Sequence, residues 1–189
     1  VVCGPINPPC TGTPLATSTG AVAGNGAYPS GPFTAAGAGT YNFVAVYSGD
    51  ANNAAVTSAC GAAGESVTVT PAPPTITTTA SGPVAAGGTI SDSAVLAGGS
   101  APTGTITFTV FGTDNATCTG TPLGTSTATV TGNGTYLSGP FTAAGAGTYN
   151  FVAVYSGATN NLGATSAGGA ANESVTVTKA PPTITTSAS

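Results

Sequence analysis

The sequence lacks most of the side chains that carry charge or catalyse reactions. Its 189 residues include no His, Met or Trp, and they also contain no Arg and no Gln. Lys179 is the single basic residue against five acidic ones. Nucleic-acid binding needs Lys and Arg to neutralise phosphates, so we expect no nucleic-acid partner. Since no imidazole can act as a general base and no guanidinium can hold an anion, we also expect no enzymatic activity.

Long apolar runs are lacking as well. No stretch approaches the roughly 20 apolar residues of a transmembrane helix, so we expect no membrane insertion. No signal peptide opens the chain, and because Val1 falls inside a repeat we expect any export signal to lie upstream. The apolar 40% of the sequence is mostly Ala and Val, which predicts a thin core. So few ionisable groups predict little dependence on pH or salt.

What the chain does contain is an internal repeat. The nineteen residues from Gly31 to Gly49, GPFTAAGAGTYNFVAVYSG, recur unchanged 108 positions later, from Gly139 to Gly157. Aligning each residue with the one 108 positions on gives 189 − 108 = 81 pairs, of which 60 are identical. Such a period indicates tandem copies of one domain. We assign residues 1–73 to an incomplete copy, 74–181 to a complete copy and 182–189 to the first strand of a following copy.

Within the complete copy, short alternating apolar segments are separated by turns rich in Gly, Pro and Asn. In the clearest of them Ile106, Phe108 and Val110 share one face, a period of two that is typical of half-buried strands. The turn spacing favours an all-β sandwich with about seven strands per 108-residue repeat. The predicted strands A to G span residues 75–81, 89–97, 105–111, 125–131, 135–141, 148–156 and 174–178.

The first copy is shorter. Residues 1–73 correspond to the end of strand C and to strands D to G, at 17–23, 27–33, 40–48 and 66–70. The equivalent of Pro74 to Phe108 is missing, and a sandwich without it has an apolar face and open edges. We interpret the chain as a window from a longer array. Alternatively, residues 182–189 complete the first domain of another molecule by strand addition.

Two motifs carry a resemblance to a known family. PTGTITF, from Pro102 to Phe108, opens strand C, and YSGDANN, from Tyr47 to Asn53, closes strand F. The repeat resembles the bacterial group 3 immunoglobulin-like (Big_3-type) domains, which occur in large secreted or surface-attached proteins. This resemblance implies tandem immunoglobulin-like Greek-key sandwiches, a role as a spacer, stalk or adhesin module, and no catalytic residues.

Four cysteines, Cys3, Cys10, Cys60 and Cys118, allow three complete pairings within the chain. Cys10 precedes strand D and Cys60 precedes strand G of one copy, so we predict a Cys10–Cys60 disulfide and an oxidising, extracellular setting. Cys118 repeats Cys10, but Gly168 stands where Cys60 would recur. The open alternatives are a Cys3–Cys118 link between molecules, Cys3–Cys10 with Cys60–Cys118 across domains, and a buried unpaired Cys118.

We predict no metal and no cofactor. Zinc is disfavoured because there is no His and the cysteine spacings match no zinc motif. Oxygen ligands for calcium could come from Asp50 with Asn52 and Asn53, or from Asp92 with Asp114. We favour the interpretation that these residues form Asx turns. The second copy keeps no acid at the position of Asp50.

Two charged residues have interpretations of their own. Asp92 is in phase with the inward-facing residues of strand B, where an unpaired carboxylate must accept hydrogen bonds or have a raised pKa. We favour the alternative that Asp92 lies near the strand end and reaches water. Lys179 could form an isopeptide crosslink with an Asn or Asp, but its place in a predicted interdomain linker disfavours this.

Three N-x-S/T sequons make Asn115, Asn133 and Asn172 candidates for glycosylation, each in a predicted loop. The aromatic side chains are predicted to be mostly core. Tyr41 and Tyr149 are assigned to tyrosine corners, in which the hydroxyl bonds the backbone nearby.

From these features we expect a structural extracellular protein of the cell surface. Its tandem domains would build an extended stalk or filament by associating with neighbouring repeats or with copies of itself, strand exchange between subunits included. The alternative is an adhesin module whose loops bind a glycan or a host-surface protein.

Overall fold

A computed structural model describes residues 1–5, 10–113, 115–170 and 172–188. Every regular element in these residues is a β-strand, so the described chain is all-β. Contacts divide the chain into an N-terminal unit, Val1–Pro71, and a C-terminal unit, Ala72–Ser189. Among the described residues there is no helix with the length and apolar character needed to cross a membrane.

The N-terminal unit forms short strands in its described part. β1, β2 and β5 make one antiparallel sheet in the order β1-β2-β5, while β3 pairs with β4. The strands are β1 (Val2–Cys3), β2 (Gly39–Phe43), β3 (Val46–Tyr47), β4 (Val56–Thr57) and β5 (Ser66–Val69).

The C-terminal unit is richer in strands. They are β6 (Thr75–Ala80), β7 (Val84–Ala85), β8 (Thr89–Ile90), β9 (Asp92–Ala97), β10 (Gly104–Phe111), β11 (Gly124–Val130), β12 (Gly134–Leu137), β13 (Phe141–Thr142), β14 (Gly147–Tyr155), β15 (Ala164–Thr165) and β16 (Ser174–Thr178). The larger sheet has the order β11-β10-β14-β16-β7, with β15 on β14, and the second has the order β12-β9-β6. β8 pairs with β13, and the β7–β16 pairing is the parallel one.

The two main sheets of the C-terminal unit share one apolar core, which is compatible with a β-sandwich. Ile106, Phe108 and Val110 of β10 are at most 1% exposed, as their alternation predicts. Phe108 belongs to the same buried cluster as Ile76 and Leu96 of the other sheet. A second cluster gathers residues nearer the other end of the strands, with Ile90, Val110, Phe151 and Val175 among them.

All seven strands predicted for residues 74–181 are present. Strand B is divided into β8 and β9, because β8 pairs with β13 whereas β9 pairs with β6 and β12. Strand E is divided in the same way into β12 and β13. β7 and β15 were not predicted, since two residues are too few to show a period.

Two strands predicted for the N-terminal unit are not formed. Residues 17–23 and 27–33 contain no strand, although their counterparts in the C-terminal unit are β11 and β12. β11 pairs with β10 and β12 pairs with β9, and the N-terminal unit holds no equivalent of β9 and only the end of β10. A single bridge between Val2 and Ala16 remains where Val110 and Gly124 pair in the other unit. Strand formation here depends on the partner as well as on the sequence, in which Gly20 replaces Ala128 of β11 and Pro29 replaces Leu137 of β12.

Residues 182–188 also form no strand, and Ile184 is 90% exposed. Its counterpart Ile76, in β6, is 8% exposed. The difference has the same cause, because β6 is paired with β9 along its whole length.

The core residue Phe151 and its repeat counterpart Phe43 form a matched pair for testing this packing. Phe151 is fully buried and Phe43 is partly exposed. We expect Phe151→Ala to destabilise the C-terminal unit by about 3–5 kcal/mol, as a cavity in a packed core does. We expect Phe43→Ala to change the N-terminal unit much less. Hydrogen exchange of β14 and β2, followed by mass spectrometry, measures both, and equal losses would contradict the difference in packing.

Candidate functional site

In an exposed polar turn after β3, several groups donate hydrogen bonds to the carboxylate of Asp50. Asp50 Oδ1 accepts a hydrogen bond from the backbone N–H of Asn52 (2.8 Å), which makes this an Asx turn as predicted. Asn53 Nδ2 donates to both carboxylate oxygens (2.9 and 3.0 Å), and the Tyr47 hydroxyl donates to Oδ2 (2.7 Å). The hydroxyl and the amide donors lower the pKa of Asp50 to about 2, and the bond to Asp50 raises the pKa of Tyr47.

This turn lines an open cavity of about 390 Å³. Tyr28 and Asn25 contribute to the same cavity. Tyr28 is 49% exposed, and its hydroxyl donates to the carbonyl of Gly24 (2.7 Å). Tyr28 is therefore an exception to the expectation that the aromatic residues are mostly core, and Tyr47 is only partly buried. Aromatic faces beside amide and carboxylate groups can bind a sugar or a polypeptide main chain.

The described residues do not assemble a metal site of acidic and cysteine side chains. No group of three or more His, Cys, Asp and Glu residues among them could hold a metal ion. The oxygens of Asp50 face N–H and O–H donors instead of an open cage. Asp114, the other calcium candidate with Asp92, lies outside the described residues.

Asp92 is buried in the C-terminal unit, at 2% exposure, which corrects the favoured expectation that it reaches water. Although it begins β9, neighbouring β6 and β12 flank that strand on both sides, so its end is covered. Oδ1 accepts a hydrogen bond from the backbone of Ser93 (2.8 Å), and Oδ2 has no partner. Burial raises the pKa of Asp92 to about 6, against the effect of the backbone hydrogen bonds.

Glu173, just before β16, is a second buried carboxyl that the sequence analysis missed. It is 4% exposed and its Oε2 has no partner, while Ser166 bonds its side chain. Burial first, and then the charge of Asp92, raise the pKa of Glu173 to about 7. The repeat held one signal for Glu173, because the position of Glu65 and Glu173 is the one position that is acidic in both copies.

Both carboxyls are buried in the C-terminal unit, and they are close enough for the charge of Asp92 to raise the pKa of Glu173. In sequence, Asp92 at the start of β9 lies between Ile90 of β8, which belongs to one apolar cluster, and Ala94 of β9, which belongs to the other. Thr78 of β6 is also buried with an unpartnered hydroxyl, and its ladder partner is Ala94. The raised pKa values of the two carboxyls predict a pH dependence for this unit, in contrast to the expected insensitivity to pH.

Cys10 and Cys60 are joined by a disulfide, with Cα atoms 6.1 Å apart. This leaves Cys3 buried and Cys118 half-buried as thiols, and it is incompatible with the Cys3–Cys10 alternative. Cys118 faces Gly168, where an added Cβ would lie 3.1 Å from its Sγ. The C-terminal unit therefore keeps the geometry of the same bridge but has only one of its two sulfurs. Burial, reinforced by the charge of Glu173, raises the pKa of the Cys118 thiol.

The three sequons differ in their surroundings. Asn133 is tied to the main chain of Gly99 by both side-chain atoms, and Asn115 Nδ2 donates to the carbonyl of Thr119 (2.8 Å). Asn172 is exposed, and its backbone carbonyl accepts from Ala80. A glycan on either of the first two would require a structural hydrogen bond to break. Lys179 is exposed just after β16.

Tyr41 and Tyr149 form the predicted corners. Each hydroxyl donates to the carbonyl of the glycine four residues earlier, at 2.9 Å for Gly37 and 3.0 Å for Gly145. The sequence analysis missed two further bonds of this kind, from Tyr28 to Gly24 and from Tyr136 to Gly132. The shared spacing Gly-x-x-x-Tyr could have identified them.

The buried carboxyls predict a pH dependence of stability. Both pKa values are raised in the folded state, so their stabilising contribution is complete below about pH 4 and is lost as the pH rises through 6 and 7. We expect the C-terminal unit to lose on the order of 3 kcal/mol between pH 5 and pH 8. Urea denaturation followed by circular dichroism measures this, and Asp92→Asn/Glu173→Gln should flatten the profile.

Asp50→Asn is the control for this profile, because Asp50 is exposed and its pKa of about 2 lies below the window. An unchanged slope in the Asp92→Asn/Glu173→Gln variant would show that other groups cause the dependence.

Replacing Gly168 should restore the missing bridge. A Cβ at position 168 would lie 3.3 Å from Cys118 Cβ, slightly shorter than the usual spacing across a disulfide, and only the tip of Val152 must move. We expect the new thiol of Gly168→Cys to form a disulfide with Cys118. This bond should stabilise the C-terminal unit by about 4 kcal/mol, since it closes a loop of about 50 residues. Non-reducing peptide mass spectrometry and thermal unfolding check this. Gly168→Cys in a Cys118→Ser background should show neither effect.

A scan against protein-family models finds no match to this chain, and a search of curated proteins finds no significant match.

Proposed function

We propose that the chain is a structural module of an extracellular, cell-surface protein, in which tandem immunoglobulin-like domains build an extended stalk or filament. The observation that carries this proposal is the recurrence of the same internal contacts in successive units. The bond from Ser66 Oγ to Asn42 Oδ1 (2.6 Å) recurs between Ser174 and Asn150 (2.6 Å). Repetition of one stable unit makes length without requiring a site.

The strand order supports an immunoglobulin-like Greek key. The seven main strands divide into β6, β9 and β12 on one side and β11, β10, β14 and β16 on the other. β9 pairs with β6 and with β12, and β10 pairs with the distant β14, so connections cross between the sheets. Such crossings are typical of immunoglobulin-like sandwiches. The fourth strand, β11, lies beside β10 in the larger sheet.

The disulfide supports an extracellular location. The Cys10–Cys60 disulfide suits an oxidising compartment, where such bonds persist.

The composition of the chain supports a structural role. The sequence is rich in Thr and Ser and poor in charge. In the turns at Asp50 and Asn115, polar side chains bond one another instead of converging on a reactive group. This composition suits a passive spacer better than a catalyst.

The second candidate function is an adhesin module. It is favoured by the cavity of about 390 Å³, which combines Tyr28 and Tyr47 with the polar groups of Asp50 and Asn53. This combination suits a glycan, because sugar rings pack on aromatic faces while their hydroxyls bond carboxylates and amides.

Electron microscopy and a binding screen separate the two functions. If the chain is structural, we expect extended rods or regular filaments with contacts above about 1,000 Å² between copies, and no saturable glycan binding. If it is an adhesin, a glycan array should give saturable binding that Tyr28→Ala abolishes and Tyr136→Ala leaves unchanged. Compact, separate particles at every concentration, together with such binding, would contradict the structural proposal.

A further inference from the structure

Three buried side-chain oxygens in the described part of the C-terminal unit have no hydrogen-bond partner. They are Thr78 Oγ1, Asp92 Oδ2 and Glu173 Oε2. The three side chains are 8%, 2% and 4% exposed, respectively. Native proteins leave few buried polar atoms without a partner, because each one costs free energy. All three oxygens can act as acceptors, so one group that binds oxygen lone pairs would satisfy them together.

β6 and β9 place Thr78 and Asp92 on the same inward face. Ala94 is the ladder partner of Thr78, and Asp92 stands two residues before Ala94 on β9. Because side chains two residues apart point to the same side of a strand, Thr78 and Asp92 are diagonal neighbours, about 7–8 Å apart at the backbone. Side chains at this spacing can both reach one ion that lies between them.

Glu173 directly precedes β16 of the larger sheet, and two observations place it beside Asp92. Ala80, the ladder partner of Asp92, donates its backbone N–H to the carbonyl of Asn172 (2.7 Å). The charge of Asp92 also acts on the carboxyl of Glu173. The two carboxyls therefore lie near each other, one from each sheet.

Each carboxyl is also held by a neighbouring donor. The backbone N–H of Ser93 donates to Asp92 Oδ1 (2.8 Å), which leaves Oδ2 for another partner. Ser166 bonds the side chain of Glu173. Since Ser166 Oγ accepts from the backbone N–H of Ala153 (3.0 Å), its proton is available for this bond. Donors of this kind orient the carboxylates of metal sites.

The chemistry of this oxygen set suits a hard divalent cation. Lys179 is the single basic side chain and is exposed, so no basic side chain is buried beside the two carboxyls. Two carboxylates balance the charge of a divalent ion, and oxygen ligands favour Ca²⁺ or Mg²⁺ over zinc. Ca²⁺ accepts irregular arrangements of oxygens, whereas Mg²⁺ requires a nearly octahedral shell and keeps several waters. Ca²⁺ therefore fits this set better.

We propose that the C-terminal unit contains a buried Ca²⁺ site, in which Asp92 Oδ2, Glu173 Oε2 and Thr78 Oγ1 are ligands. Water and main-chain oxygens would complete the shell of about six to eight oxygens that Ca²⁺ takes. The site differs from the calcium candidates of the sequence analysis, because Glu173 stands beside Asp92 in place of Asp114. Since the ligands come from both sheets, the ion would link them. This inference goes beyond the structural function proposed above and does not depend on it.

The test adds Ca²⁺ to the full chain at pH 8 after treatment with a chelator. By calorimetry we expect one ion per chain, with a dissociation constant on the order of 0.1–1 mM, the range of extracellular calcium modules. About 10 mM Ca²⁺ should raise the unfolding temperature of the C-terminal unit by about 5 °C. Hydrogen exchange should slow in β6, β9 and β16 and not in β1–β5. Mg²⁺ at the same concentration should have a smaller effect.

Four variants test the ligands. Asp92→Asn/Glu173→Gln should lose the calcium response, because the amides keep the shape of the side chains but not their charge. Thr78→Val should bind Ca²⁺ about fivefold more weakly, because one ligand is lost. Without Ca²⁺ it should be at least as stable as the wild type, since it removes an unpartnered buried hydroxyl. Thr77→Val, on the exposed face of the same strand, is the matched control and should bind as the wild type does. Asp50→Asn, in the exposed turn, should also leave the response unchanged.

The proposal is wrong if Ca²⁺ at this concentration neither binds nor changes the unfolding temperature, because protons or water alone then satisfy the buried oxygens. An equal response in Asp92→Asn/Glu173→Gln, or loss of the response in Asp50→Asn, would place the ion elsewhere and overturn it as well. None of these results bears on whether copies of the chain form rods or filaments, so the structural function is tested separately.

Discussion

The constraint on which the rest of the structure depends is that an alternating strand needs a partner for its backbone and a cover for its apolar face. The nineteen-residue block at Gly31–Gly49 and Gly139–Gly157 shows this directly, because an identical sequence occurs in two surroundings. Paired with β10 and β16, the second copy forms β14, an unbroken strand of nine residues. The first copy has only the end of a β10 equivalent, and it breaks into β2 and β3.

The core of the C-terminal unit contains buried polar side chains as well as apolar ones. Ile, Leu, Phe and Tyr side chains, together with Ala and Val, form two buried apolar clusters, and Asp92, Thr78 and Glu173 are buried in the same unit. A buried carboxyl without a cation is stable chiefly as the neutral acid, which links folding to proton binding. A chain with almost no charge can thus still respond to pH, because two of its few carboxyls are placed where the charged form is disfavoured.

The small differences between the copies show which contacts are optional. The Cys10–Cys60 bridge is formed in the N-terminal unit, whereas the C-terminal unit has Gly168 at the second position. Asp50 occupies donors that bind main chain in the other copy, where position 158 is alanine.

Much of this followed from the residues alone. The period of two identified β10, β14 and β16 and their buried faces, since alternation directly reports which side of a strand is covered. The spacing of Tyr41 and Tyr149 after glycine, and the Asx turn at Asp50, are local features, and local sequence was enough to predict them.

Tertiary structure decided what depends on distant neighbours. Whether residues 17–33 become strands depends on β9 and β10 equivalents far away in sequence, and not on their own propensity alone. The burial of Asp92 and Glu173 required knowing that separate strands enclose both, because exposure is a property of the assembled sheets. By itself the sequence determined the alternation, the repeat and the turns, whereas pairing and burial were settled by long-range contacts between strands.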